Sequence, residues 1–113
     1  MSNVTRTTPL LSPNTNVALT TASSGATQIV AAATGTKYRV LAVALISTLA
    51  NSVKFQSGSN DISALFPLGA NGGLVLPFNE HGWFETNSNE ALNINMSVAT
   101  STGIQVQYIK LPA

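Results

Sequence analysis

Apolar and polar side chains alternate one by one through most of this chain. Val53 and Phe55 fall on one side of an extended segment, Lys54 and Gln56 on the other. Leu92, Ile94, Met96 and Val98 oppose Asn93, Asn95 and Ser97, and Ile104, Val106 and Tyr108 oppose Gln105 and Gln107. A period of two predicts strands with one buried and one wet face, as in antiparallel sheets. Turn-forming clusters separate these segments: Ser24-Gly25, Thr34-Gly35, Ala50-Asn51, Gly58-Ser59-Asn60-Asp61, Asn71-Gly72-Gly73, His81-Gly82, Asn87-Ser88-Asn89 and Ser101-Thr102-Gly103. Recurrence at about ten-residue intervals predicts a sandwich or barrel of short strands. The fold class expected is therefore all-β, with at least seven strands in two packed sheets.

Tyr38–Ile46 departs from the alternation, being apolar on both sides after Arg39. Its Ala and Leu content allows a short helix. Val40, Val43 and Ile46, with no cap before them and a Thr-Gly-Thr turn leading in, favour a strand buried on both faces. In so small a sandwich, a neighbouring subunit would supply the second cover. Asn71-Gly72, between Ile62–Leu68 and Leu74–Phe78, is the best hairpin signal, since both residues tolerate positive φ. Pro67 and Pro77 cannot donate to a ladder and belong at edges, bulges or strand ends.

Residues 1–15 read as a separate extended arm ahead of a single domain at 16–113. Thr, Asn and Pro surround the pair Leu10-Leu11, with too little apolar material to form a core. An arm of this kind frays unless it docks. Arg6, its one charge, is placed to pair with a partner's carboxylate, and the leucines to add apolar burial.

Composition sharpens this picture. Charged residues make up 8% of 113, against roughly 25% in an ordinary soluble domain. None occurs in the thirty residues from Thr7 to Thr36. Thr, Ser and Asn carry the polar role, at about a third of the chain. Such a surface hydrogen-bonds well and repels weakly, which suits packing against copies of itself or a partner. The net charge is +1 and the five basic residues, Arg6, Lys37, Arg39, Lys54 and Lys110, are scattered. No phosphate-neutralising cluster exists, so no nucleic-acid partner is expected. Cysteine is absent, which excludes disulfides and thiolate metal sites. The longest apolar run, Val40–Ile46, is far short of the ~18 residues that span a bilayer as a helix. The N-terminus lacks a secretory h-region. A soluble protein made in the cytoplasm, with no membrane partner, is expected.

Catalytic chemistry is thinly supplied. His81 is the single histidine and Asp61 the single aspartate, and no serine sits in a G-x-S-x-G elbow. Glu80, Glu85 and Glu90 invite a paired-carboxylate reading, but they flank a turn, where exposed acids are ordinary. No spacing matches a zinc or calcium loop. No catalytic residue, metal or cofactor is expected. Trp83 and Phe84 are adjacent, so in a strand one enters the core and the other faces outward, towards a partner.

The stretch Asn71-Gly-Gly-Leu-Val-Leu-Pro-Phe-Asn-Glu-His-Gly-Trp-Phe-Glu-Thr86, followed by Glu90-Ala-Leu-Asn-Ile-Asn-Met-Ser97, resembles small virion structural proteins of tailed bacteriophages. The likeness extends more weakly to Thr36-Lys-Tyr-Arg-Val-Leu41 and the C-terminal strand, about two-thirds of the chain. It implies a compact β-sandwich of jelly-roll type, several copies per virion and no enzymatic activity. The function expected is that of a capsid decoration, or cement, protein on the outer capsid surface. It would form an oligomer, a trimer foremost, that bridges subunits of the major capsid protein or another virion protein. The partner-binding residues expected are Arg6, Leu10, Leu11, Trp83 and Phe84. Rival readings are a tail, neck or fibre component, and a carbohydrate-binding module.

Overall fold

Ten strands and no helix make up residues 14–113, the part of the chain that the computed structural model describes. In order they are β1 (Thr15–Thr21), β2 (Gly25–Val30), β3 (Thr36–Ser47), β4 (Asn51–Ser57), β5 (Asn60–Asp61), β6 (Phe66–Leu68), β7 (Gly73–Leu76), β8 (Phe84–Glu85), β9 (Leu92–Met96) and β10 (Thr102–Pro112). Sheet A runs β1-β10-β3-β7, with β8 also on β3. Sheet B runs β2-β9-β4-β5, with β6 also on β4. Every pairing is antiparallel.

The pairings nest. β1 pairs with β10, β2 with β9, β3 with β7 and β8, and β4 with β5 and β6. The chain is thus one long hairpin whose tip is the two-residue turn Gly58-Ser59, where Ser57 faces Asn60. Successive strands step between the sheets, so the hairpin is rolled around a core, and β10–β3 and β9–β4 ladders close each layer. This is a jelly roll, the architecture the sequence led us to expect. β1 begins at Thr15; residues 1–13 of the expected arm lie outside the described residues.

The alternating positions fill the interior as predicted. Val53, Phe55, Leu92, Ile94 and Val106 are fully buried, with Met96, Ile104 and Tyr108 nearly so. The rings of Tyr38 and Tyr108 meet edge-to-face at 5.4 Å, and Phe55 stacks against Phe84 at 4.9 Å. The Tyr38 hydroxyl donates to the Ala31 carbonyl at 2.6 Å, so the ring's polar end is satisfied.

Tyr38–Ile46 is a strand, as expected, and the chain itself covers one of its faces; the second cover was expected from a neighbouring subunit. Leu41 has no partner in the register: Val40 faces Tyr108 and Ala42 faces Gln107. This β-bulge shifts the parity, so Tyr38 and Val40 point inward before it and Val43, Leu45 and Ser47 after it. The unbroken apolar run is the trace of that shift plus an apolar outer row, in which Ala44 and Ile46 are exposed. Asn71-Gly72 is not a hairpin. Asn71 does take positive φ (58°), yet β6 pairs with β4 in sheet B and β7 with β3 in sheet A. The turn is a crossover, anchored where Ser47 N–H donates to Gly72 and Asn71 N–H to Thr48. Pro67 and Pro77 fall as expected, in edge strand β6 and just past the end of β7.

Asn51 is the polar keystone of one end. It is 5% exposed, and its Oδ1 accepts from Ser52 N–H, Ser97 N–H, Ser97 Oγ and Val98 N–H at 2.9–3.1 Å. Its amide nitrogen donates to the Val98 carbonyl and Ser47 Oγ. One side chain thereby ties the start of β4 to the ends of β3 and β9. Asn51→Ala strands buried donors, so urea denaturation should show a loss of about 1–3 kcal/mol. Phe55→Ala, which leaves a cavity between the sheets, should lose about 3–5 kcal/mol in the same measurement.

Candidate functional site

The two outer faces of the sandwich differ sharply in chemistry. On sheet B the outward row is polar and mutually bonded. Asn95 donates to Gln56 Oε1, Gln56 donates to Asp61 Oδ1 at 2.9 Å, and Lys54 pairs with Asp61 at 3.2 Å. Asn93 donates to the Gly58 carbonyl at 2.8 Å. These groups satisfy one another and meet water.

The β1–β10–β3–β7 end of sheet A turns outward a stretch without charge, while Lys37, Arg39 and Glu85 face outward at the β8 end of the same sheet. The side chains alternating against the core are Ala18 and Thr20 of β1, Gly103 and Gln105 of β10, Ala44 and Ile46 of β3, and Val75 of β7. Ile46 is 62% exposed and Val75 71%. Small residues in the middle and large ones at the β3–β7 side make a shallow trough of about 510 Å³. It continues past Ala44, Val75 and Gln105 into a second hollow of about 270 Å³ that reaches Asn16, Ala42, Gln107 and Pro77. Gly73 belongs to this side for a steric reason: a Cβ there would collide with the Leu45 carbonyl. β1 pairs only with β10 among the described residues, and Thr15–Thr21 contains neither charge nor proline. Edge strands usually carry one or the other to discourage pairing.

The loop between β7 and β8 forms the second exposed apolar feature. It lies along β3 beside the bulge, with Asn79 N–H donating to Leu41 and Trp83 N–H to Val40. Gly82 takes φ +81° there, and a Cβ would meet the Arg39 side chain, so the tight approach requires glycine. Trp83 and Phe84 part as the alternation requires. Phe84 packs into the core, whereas Trp83 is 42% exposed beside the 54% exposed Phe78. The Trp83 indole donates to the Pro77 carbonyl at 2.8 Å, which fixes the ring. Trp83 and the trough share the Pro77 corner. Arg6, Leu10 and Leu11 lie outside the described residues.

The titratable groups serve the strand ends. Glu85 bonds both Lys37 (2.8 Å) and Arg39 (2.9 Å) across the β3–β8 ladder. Those bonds, Lys37 foremost, hold its carboxyl below the ordinary 4.5 against a desolvation that pushes upward. Glu90 is held low first by the Ser57 hydroxyl and then by Asn87. Asp61 is held low by Gln56 and then Lys54. Ser57 is fully buried, its oxygen donating to Glu90 and accepting from Asn87 N–H. That pair caps β4 and has no histidine beside it. His81 sits exposed in the loop, its N–H donating to Asn79 Oδ1. Among the described residues no three His, Cys, Asp or Glu side chains come together as metal ligands. Sequence reasoning found the second apolar side of β3 and its need for a cover, but not the trough itself, to which β1, β7 and β10 also contribute.

No protein-family profile and no curated protein sequence matches the chain. Solved structures do resemble it in fold. A subunit of the Bacillus endospore appendages, described as a novel family of disulfide-linked pili, aligns over 98% of both chains with a TM-score of 0.51 at 15% identity. A virus-like particle protein of the Macrobrachium rosenbergii extra small virus, from the giant freshwater prawn, aligns over 97% of this chain and 85% of its own. Its TM-score is 0.46 at 11% identity, too slight to support an argument. At these identities the likeness shows a shared β fold. The present chain has no cysteine, so disulfide linkage is closed to it.

The carboxylates set an acid dependence of known sign. Each has a folded-state pKa below its unfolded value, so its contribution to stability is present above the ordinary range and is lost as pH falls through the lowered value. Stability in urea should therefore decline in acid. Glu85→Gln should cost under about 1 kcal/mol at neutral pH, since the pairs are partly solvated, and this cost should shrink below the ordinary 4.5. A cost independent of pH would assign Glu85 a packing role instead.

Proposed function

We propose that this chain is a non-enzymatic structural subunit of a bacteriophage particle, and specifically a capsid decoration protein. The observation that carries the reading is the charge-free trough on the outer face of sheet A. Large aliphatic side chains stand exposed there around a trough, in a domain whose other face is lined largely by bonded polar side chains. Contiguous exposed apolar surface of this kind marks protein–protein contact. The resemblance of Asn71–Thr86 and Glu90–Ser97 to virion structural proteins supplies the setting, and the jelly roll suits it. The isolated, turn-bound His81 and the structural bonds of Glu85, Glu90 and Asp61 are what a scaffold without catalysis needs.

In this reading each copy spans a joint between major capsid subunits on the outer shell, as an oligomer with three-fold symmetry foremost. Burying surface across the joint only in the assembled shell stabilises that shell by linkage. The outer side of sheet A and the neighbouring Trp83 and Phe78 supply the area for contacts between copies and with the shell, while the outer face of sheet B remains towards water. A carbohydrate-binding role is the second reading. It rests on the fixed, half-exposed Trp83 beside Asn79 and Glu80, a stacking surface with amide and acid groups at its rim.

Quantitative mass spectrometry of purified particles tests the proposal. Decoration requires a copy number on the scale of the major capsid protein; a handful of copies would indicate a tail, neck or fibre part, and none would refute a virion role. Ala44→Arg, at an exposed position, should change stability by no more than about 0.5 kcal/mol and yet strongly reduce incorporation. Full incorporation of the variant would remove the sheet A face from the interface.

A further inference from the structure

We propose that the trough on sheet A receives the Leu10-Leu11 segment of a second copy of the chain. This rests on the reading of that face as an assembly surface and names its occupant. The trough is lined by small side chains at its floor, Ala18, Ala44 and Gly103, with Ile46 and Val75 standing at one wall. An extended strand can approach such a floor closely and set large side chains between the walls. It also demands an occupant without charge at the point of contact. Residues 1–13, which precede the described structure, contain one charge, Arg6, and their apolar residues are concentrated at Leu10 and Leu11.

Chain geometry decides between the copy's own trough and another's. β1 starts at Thr15 opposite Tyr108 and runs towards Thr21 opposite Thr102. Ala18–Thr20, at the trough, lie three to five residues along β1, about 10–17 Å from its start at the rise of a strand. Laying the leucines over the same copy's trough would need a reversal, which takes about four residues. Only 12–14 stand between Leu11 and Thr15. The leucines would therefore sit in the turn itself, with no chain left to cover the return. Outward travel carries Leu10 and Leu11 up to about 13–18 Å beyond Thr15, enough to reach a copy packed against that end of β1. A neighbouring copy is within reach.

Exchange of such segments gives each copy one donor and one acceptor, a heterologous contact that closes into a ring or extends as a filament depending on the rotation between copies. A closed ring would join several weak anchors into one durable assembly, each raising the effective concentration of the next. This is how a chain with so little charge and no cysteine would hold its oligomer together.

The absence of cysteine makes the test clean. Leu10→Cys and Val75→Cys are prepared as separate full-length proteins, mixed at high concentration, and treated with a short bis-maleimide. Mass spectrometry separates the products, since the two variants differ in mass. The expected result is a mixed L10C–V75C dimer, with none formed between L10C and Ala26→Cys, a position on the outer face of sheet B. Absence of the mixed dimer, or equal linking to both positions, would overturn the proposal. So would an intramolecular link in the L10C/V75C double variant at high dilution, which would place the segment on its own copy. As a second readout, Leu10→Asp with Leu11→Asp should abolish self-association in sedimentation velocity while the β-type circular dichroism is unchanged; unaltered self-association would likewise overturn it. The two proposals fail separately. Loss of incorporation by A44R without cross-linking leaves the assembly surface with a different occupant. Cross-linking by a protein absent from particles leaves the copy-to-copy contact and ends the virion reading.

Discussion

The β3–β10 ladder is the constraint on which the rest of the molecule depends. Eleven positions pair along it, from Thr36 facing Pro112 to Ser47 facing Thr102. It joins the two longest strands, which are far apart in the chain, and so draws the hairpin into a roll. Its inward row supplies Tyr38, Val40, Val43, Leu45, Ile104, Val106 and Tyr108 to the core. Because a strand presents alternate residues to opposite faces, the same pairing fixes the outward row. The core and the trough are two sides of one register, and a slip of one residue would exchange them. The bulge at Leu41 lets β3 keep the core side apolar along its full length.

From this register follows the asymmetry between the faces. Sheet B spends its outward positions on Asn93, Asn95, Gln56 and Lys54, groups that bond to one another and to Asp61 or Gly58. Around the trough, sheet A places Ala, Thr, Gly, Val, Ile and a single Gln at its outward positions, and its charges stand apart at the β3–β8 end. Exposed apolar rows of this kind are characteristic of contact surfaces. The sparse charge of the whole chain has the same sense, since it removes the repulsion that would keep copies apart. The remaining carboxylates are engaged in holding strand ends: Glu85 on β3 and β8, Glu90 on β4, and Asp61 on the β4–β5 hairpin.

Much of the core was legible because alternation over four or five residues leaves little freedom. Leu92, Ile94 and Met96, like Val53 and Phe55, went where their period sent them. Trp83 and Phe84 divided between outside and inside for the same reason. Long-range order was less legible. Asn71-Gly72 has the local conformation of a hairpin turn, yet tertiary pairing sends its flanking strands to different sheets, a choice no local signal carries. The bulge at Leu41 blurred the parity of β3, whose outer row is apolar and left uncovered by the chain itself. Asn51 read as a turn residue, whereas its amide is the buried hub of three segments. A polar residue's partners, unlike its propensity, come from parts of the chain remote in sequence. The candidate site suffered from the same blindness. The trough is assembled from four strands, and each contributes only one to three unremarkable small residues.

Hydroxyl-radical footprinting of the isolated protein and of the assembled particle tests the central claim most directly, because it reads side-chain access on both faces at once. The account predicts that Ile46 and Val75 are oxidised in the isolated chain and protected after assembly, while labelling of side chains on the outer face of sheet B stays unchanged. Equal labelling of Ile46 and Val75 in the two states, or protection confined to sheet B, would contradict the assignment of sheet A as the face on which this protein assembles.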